Sequence, residues 1–243
     1  MSRPTIVLLH GVGLDHTMWE PVAALLRDRF EVRAPDLPGH GTCPPAPPGT
    51  TLSDLAQGVI ADIPAGSHVL GFSLGALVAQ HIAAHRPELV ATLTSVSSVC
   101  RRTNDERRAV LGRLRAAESD FGTSAAVSIE RWYGGTDVPQ EWVRRTESTL
   151  LANSLSSFLA CYRVFAAGDE DVAPLLGQIS APALAITGAD DPGSTPEMTH
   201  RLAEVLPNCR AVVVPETRHM LPVQRPRELV DAMTTLIEED AHA

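Results

Sequence analysis

The run Gly71-Phe72-Ser73-Leu74-Gly75 has the form G-x-S-x-G, follows the apolar stretch His68-Val69-Leu70 and opens the helix-patterned stretch Ala76–Ala84. A serine on a strand-to-helix turn is held in a tight backbone geometry that small neighbours make possible, and the turn lifts its hydroxyl clear of the sheet. A serine hydroxyl attacks a carbonyl only with a base to take its proton, an acid to orient that base and donors for the oxyanion. The candidate base is His219, in Pro215-Glu216-Thr217-Arg218-His219-Met220, and the candidate acids are Asp190 and Asp191, in Gly188-Ala189-Asp190-Asp191-Pro192. For the oxyanion, glycines in His10-Gly11-Val12-Gly13 let the backbone turn and present N–H groups, so the amides of Val12 and Leu74 are the candidates. One such donor is typically worth about 3 kcal/mol in the transition state.

These residues act together only if a scaffold brings their loops to one edge. Short apolar runs at Thr5–Leu9, Glu31–Ala34, His68–Phe72, Thr92–Val96, Ala183–Thr187 and Ala211–Val214 alternate with amphipathic stretches such as Met18–Asp28, Leu52–Ile63 and Leu74–His85. That alternation predicts an α/β fold, a mostly parallel sheet of about six strands covered by helices on both faces. Loops that leave the carboxyl ends of parallel strands share one edge, which puts Ser73, the Asp190-Asp191 pair and His219 together. Between Cys100 and Pro174 the strand runs vanish and four helical patterns follow. Thr103-x-x-Glu106 reads as a capping box before Val110, Leu111 and Leu114. Ile129, Trp132 and Tyr133 share a face, Pro139 suits a first helical turn before Trp142 and Val143, and Leu155, Phe158, Leu159 and Tyr162 line a fourth helix. The predicted organisation is a core of residues 1–100 and 175–243 with an all-helical cap over residues 101–174.

The motif series, with Asp36-Leu37-Pro38-Gly39-His40-Gly41 added, resembles the α/β-hydrolase superfamily over nearly the whole chain. The chain order Ser, Asp, His is the one those enzymes use. The resemblance implies Ser73 as nucleophile, Asp191 rather than Asp190 as acid, and His219 as base. A second position at which the family can carry its acid, after Thr92–Val96, holds Ser97, Ser98, Val99 and Cys100 and no carboxylate. The family's opening antiparallel hairpin is absent from the pattern, which implies a trimmed sheet. Within the superfamily, Glu130-Arg131-Trp132-Tyr133 and Gly193-Ser194-Thr195-Pro196-Glu197-Met198 are similar to 3-oxoadipate enol-lactonases. That likeness implies hydrolysis of a carboxylic ester or lactone through an acyl-enzyme. The alternatives are C–C or amide cleavage, acyl transfer or perhydrolysis on the same machinery, and a ligand-binding receptor on the same fold. Trp132 is a candidate wall of the substrate pocket; Arg101, Arg102, Arg131 and Arg163 are candidate partners for a substrate carboxylate.

Composition narrows the partners. The net charge of the 243-residue chain is −9, which predicts no nucleic-acid surface, and all 20 cationic residues are arginine, which excludes a lysine Schiff base or a P-loop lysine. No G-x-G-x-x-G follows a strand, no cysteine or histidine spacing suggests a metal, and the motifs call for no cofactor. Cys43, Cys100, Cys161 and Cys209 stand far apart, as reduced thiols of a cytoplasmic protein would. The apolar run Thr5–Leu9 is too short for a signal peptide or a membrane span, so the expectation is a soluble protein acting on a small-molecule ester or lactone. Oligomeric state is not readable. His10 is expected to brace the oxyanion loop and His40 a turn, with His81, His85 and His200 on helix surfaces.

Overall fold

The computed structural model describes residues 3–242. Six strands, β1 (Thr5–Leu9), β2 (Glu31–Arg33), β3 (Ser67–Phe72), β4 (Val90–Val96), β5 (Ala183–Gly188) and β6 (Cys209–Val214), form one sheet in the order β2-β1-β3-β4-β5-β6. Every pairing is parallel. Strands of such a sheet are covered on both faces and read as continuous apolar runs. Accordingly Ile6, Val7, Leu8 and Leu9 of β1 and all six residues of β5 are buried, while the edge strand β2 is partly exposed.

The strand order reverses at β1, and right-handed crossovers then send successive helices to opposite faces. One face carries α1 (Glu20–Leu26) packed on α10 (Pro226–Asp240). The other carries α2 (Leu52–Gln57) against α3 (Leu74–His85), with α8 (Pro196–Val205) on β5 and β6. A one-turn helix, α9 (Leu221–Gln224), precedes α10. Between β4 and β5 the chain leaves the sheet for α4 (Asn104–Ser119), α5 (Phe121–Tyr133), α6 (Gln140–Leu151) and α7 (Leu155–Val172).

The strands match expectation within a residue or two at their ends. Two expected helices are shorter. Met18–Asp28 is a 3₁₀ turn over His16–Trp19 followed by α1, whose first turn holds Pro21. Leu52–Ile63 is broken after Gln57, where Gly58 lies so close to Pro38 that a Cβ would stand 2.3 Å from its ring. The expected capping box forms: Thr103 Oγ1 accepts from the Glu106 N–H at 3.3 Å, and the Thr103 N–H donates to Glu106 at 2.6 Å. Pro139 is the residue before α6 rather than within its first turn. Leu111 and Leu155, expected on inner faces, are exposed, because the buried stripes run through Val110, Leu114 and Ala117 in α4 and through Phe158, Cys161 and Phe165 in α7.

Helix α7 packs on α3, and Gly168 lets the two approach: a Cβ there would stand 2.9 Å from Leu77. Ser157 ties the same helix to the loop after β2, donating to Gly39 O at 2.8 Å and accepting from the Ala46 N–H at 2.9 Å. Cys100 and Cys161 are buried and Cys43 and Cys209 half-buried, all four as free thiols. Among the described residues no single helix is long and apolar enough to cross a membrane, and no group of three or more His, Cys, Asp or Glu could hold a metal.

Candidate active site

Ser73 joins β3 to α3 with φ +54° and ψ −112°, a conformation that costs a non-glycine residue about 1–3 kcal/mol and persists only where the surroundings impose it. The two glycines of the motif permit it by close approach. A Cβ on Gly71 would stand 2.2 Å from the carbonyl oxygen of Gly75, and one on Gly75 would stand 2.2 Å from that of Leu9. The Ser73 N–H donates to Val96 O at the end of β4, at 2.9 Å, which anchors the turn to the sheet. The sequence therefore places a hydroxyl at the β1/β3 switch point, where open parallel sheets bind their ligands.

Asp191 and His219 arrive on the loops after β5 and β6, which are stitched together. The Ala189 N–H donates to Val214 O at 2.8 Å and the Asp190 N–H to Thr217 O at 2.9 Å. Gly188 permits this approach, since a Cβ there would stand 2.1 Å from Thr217 O. The His219 ring nitrogen Nδ1 lies 2.6 Å from Asp191 Oδ2. An ionised carboxylate only accepts, so Nδ1 carries the proton and Nε2 is left as the acceptor, the tautomer a general base needs. The other oxygen of Asp191 accepts from the Gly193 and Ser194 N–H groups at 2.8 and 2.9 Å. The carboxylate is buried with every bond in place, whereas Asp190 is exposed.

Val12, Ser73, Trp132, Arg131, Asp191 and His219 line one cavity of about 30 Å³. The Phe72 ring stands 4.9 Å from that of His219, and Trp132 stacks on it at 5.8 Å. The oxyanion candidates also converge here. Leu74 opens α3, where the first N–H groups of a helix have no partner within it. In the facing loop the Leu14 N–H donates to Gly11 O at 3.2 Å, and among the described residues the Val12 N–H is not drawn into that bonding. His10 braces the loop as expected: Nδ1–H donates to Gly11 O at 2.8 Å, and Nε2 accepts from the Leu37 N–H at 2.9 Å. Complete burial holds its pKa down at about 4, so it stays neutral and keeps the acceptor. His40 stands edge-on to it at 5.0 Å and is likewise kept neutral by burial, at about 3.

The candidate arginines separate. Arg102 is buried against Asp169 at 2.6 Å, Arg163 pairs with Glu118 at 2.5 Å, and Arg101 is exposed, so none of these three lines the cavity. Arg131 does. The sequence reading missed Arg113, which lines the cavity from α4, and Tyr162 and Phe165, which line it from α7. Arg113 carried a signal: it stands between Val110 and Leu114 beside the apolar stripe of an amphipathic helix, where a charge is out of place. Two braces of the His219 loop were also missed. Ser97 Oγ donates to His219 O at 3.1 Å, and Gln224 bonds Arg218 N–H and Glu216 O, both at 2.9 Å. A larger open groove of about 500 Å³, beside Asp36 and His40, contains neither Ser73, Asp191 nor His219.

A model of the alpha/beta hydrolase family matches residues 6–232. The chain is 30% identical over 237 residues to an (E)-2-((N-methylformamido)methylene)succinate hydrolase of Acinetobacter baylyi, covering 96% of this chain and 90% of that protein. It is 31% identical over 245 residues to a pimeloyl-[acyl-carrier protein] methyl ester esterase of Chromobacterium violaceum, covering 98% and 96%. The enol-lactonase of Burkholderia xenovorans superposes with a TM-score of 0.87 at 22% identity, covering 98% of this chain and 92% of that one, a likeness of fold. The special likeness to enol-lactonases read from residues 130–133 and 193–198 is therefore matched in fold alone, while the relatives at 30% identity or above include the (E)-2-((N-methylformamido)methylene)succinate hydrolase and methyl ester esterases. With six parallel strands, Ser73 on its strained turn and a family model spanning most of its length, the chain belongs to the alpha/beta hydrolase family.

Proposed function

We propose that the protein hydrolyses a carboxylic ester or lactone through an acyl-enzyme on Ser73. The observation that carries this reading is the buried 2.6 Å bond between His219 Nδ1 and Asp191, in the cavity that Ser73 also lines. His219 Nε2 takes the Ser73 proton as the hydroxyl attacks the carbonyl, and Asp191 holds the ring in that tautomer and stabilises the imidazolium. The Val12 and Leu74 amides receive the tetrahedral oxyanion. The imidazolium gives its proton to the leaving oxygen, which in a lactone stays tethered to the acyl group. Water, deprotonated by the same ring, then releases the acid and frees Ser73. No step calls for a cofactor, and the four free thiols suit a reducing, cytoplasmic setting.

A cavity of about 30 Å³ has room for one or two water molecules. An ester needs more room than this, so the side chains that line the cavity from α4 and α5, Arg113, Arg131 and Trp132, must give way for one to enter. The α4–α7 segment is accordingly proposed as a cap, standing over the core formed by residues 1–100 and 175–243. The test is release of nitrophenol from a 4-nitrophenyl ester and loss of absorbance from 3-oxoadipate enol-lactone, each with Ser73→Ala and His219→Ala as controls. Both variants are expected to lose turnover while keeping the wild-type circular dichroism, and activity retained in Ser73→Ala overturns the reading. Turnover of aryl esters without the lactone keeps the hydrolase and discards the lactonase.

A further inference from the structure

Two arginines face the reactive cavity with no carboxylate of this chain free to answer them. Arg113 of α4 and Arg131 of α5 both line it, together with Ser73 and His219. A guanidinium offers five N–H donors. Yet among the described residues the Arg131 side chain makes one hydrogen bond, to Ser128 Oγ at 3.1 Å, and lies over the Trp132 ring at 6.0 Å. Among the described residues Arg113 makes no ion pair and no side-chain hydrogen bond. Other arginines at or in the α4–α7 segment are matched: Arg102 just before α4 with Asp169, Arg107 of α4 with Asp169 and Glu170, Arg108 of α4 with Asp105, and Arg163 of α7 with Glu118. Asp191, the carboxylate that lines the cavity, has both oxygens committed to His219 and to two backbone N–H groups.

Burying a cation without a counter-charge is costly, and setting a second cation beside it adds to the cost. Burial first, and then the nearby Arg113, disfavour the charge on the Arg131 guanidinium, and the pull of Tyr162 and Asp191 only partly offsets them. An anion shared by the two forks removes both penalties, and a carboxylate, planar with two oxygens, matches a guanidinium bidentately. We propose that Arg113 and Arg131 together hold a substrate carboxylate remote from the scissile carbonyl, so that the enzyme selects anionic esters over neutral ones of the same length. The proposal rests on Ser73 hydrolysis for its catalytic consequence but not for its binding consequence, which allows the two to fail separately.

The substrate pair is 4-nitrophenyl hydrogen adipate and its neutral methyl-capped diester, which share the scissile bond and differ in one charge. Wild type is expected to favour the anion in kcat/KM by about ten- to a hundred-fold, the span of one charge-assisted hydrogen-bond pair. Arg113→Gln and Arg131→Gln are each expected to bring that ratio toward one, and Arg131→Lys, which keeps the charge and loses the fork, to fall between. Arg113→Met keeps the aliphatic packing should Arg113→Gln loosen α4. Arg108→Gln, at an exposed position on the same helix, is the control and keeps the wild-type ratio.

Calorimetric binding of adipate, dimethyl adipate and inorganic phosphate to Ser73→Ala gives a readout free of catalysis. Adipate is expected to bind, to bind better than the other two, and to weaken at least about ten-fold in each Arg→Gln background. If both esters are cleaved with a ratio near one, or the arginine variants leave the ratio unchanged, the proposal falls and the hydrolase stands. If neither ester is cleaved while adipate still binds through the arginines, the hydrolase reading falls and the carboxylate site stands. Tighter binding of phosphate than of adipate overturns the carboxylate assignment.

Discussion

At the scale of single residues the sharpest distinction lies between two adjacent aspartates. Spacing alone left Asp190 and Asp191 as equal candidates, because both follow β5 and both emerge at the correct edge. The structure separates them through backbone bonding: Asp190 turns its N–H to Thr217 O and its side chain to solvent, and Asp191 turns inward to His219. An amide at position 191 cannot hold Nδ1–H as the carboxylate does without upsetting the two N–H donors on Oδ1. Asp191→Asn is therefore expected to lower kcat by about 10⁴-fold, the loss typical when the base is held in the wrong tautomer. Asp190→Asn is expected to stay close to wild type. Steady-state kinetics on one aryl ester checks both, and a larger loss at position 190 would move the acid by one residue.

At the scale of elements, glycine position shows what a sequence pattern can and cannot convey. Gly75 and Gly112 both sit inside helices, where glycine costs up to about 1 kcal/mol relative to alanine. A Cβ on Gly75 would stand 2.2 Å from Leu9 O of β1, while on Gly112 its nearest neighbour would be the flexible end of Arg115 at 3.9 Å. Gly75→Ala is expected to cost about 3 kcal/mol through forced separation of α3 from β1. Gly112→Ala is expected to gain about 0.5–1 kcal/mol. Urea midpoints at constant slope measure both, and a Gly75→Ala protein of wild-type stability would mean that the turn under Ser73 yields. The strands were legible because a doubly covered parallel sheet demands unbroken apolar runs. The break after Gln57 was not, and the close approach of Pro38 to Gly58, the residue that caps α2, is made across the fold and has no local signal. The inner face of α7 was legible in part: Phe158 and Tyr162 are buried and Leu159 packs on the core, while Leu155 at the start of the helix is exposed.

At the scale of the whole molecule, Ser73 and His219 were legible because each follows a strand end in a recognisable turn. Arg113 and Gln224 were not, since their positions depend on how α4 and α9 lie on the core. The same packing creates a pH dependence that no local motif announces. His10 and His40 stand in contact, buried and neutral, with pKa values held down to about 4 and about 3 against an ordinary 6.5. In the unfolded chain both bind a proton near pH 6.5, whereas in the fold they do not until far lower. Between those values the unfolded state carries more protons, so stability is present above about pH 6.5 and falls as the pH drops. Asp36 acts in the same direction further down. Burial opposes its ionisation, but hydrogen bonds from Thr42 and His16 outweigh it and hold its pKa at about 2, so its contribution is lost as pH falls from its ordinary 3.8 toward that value. The two histidines together are expected to remove roughly 3 kcal/mol of stability between pH 6.5 and pH 5. Urea unfolding across that window measures the slope, and His40→Gln, which removes one titrating group, is expected to flatten it by about half. An unchanged slope in that variant would place the acid sensitivity elsewhere in the fold, and His40 would then not be among the groups that gain a proton on unfolding.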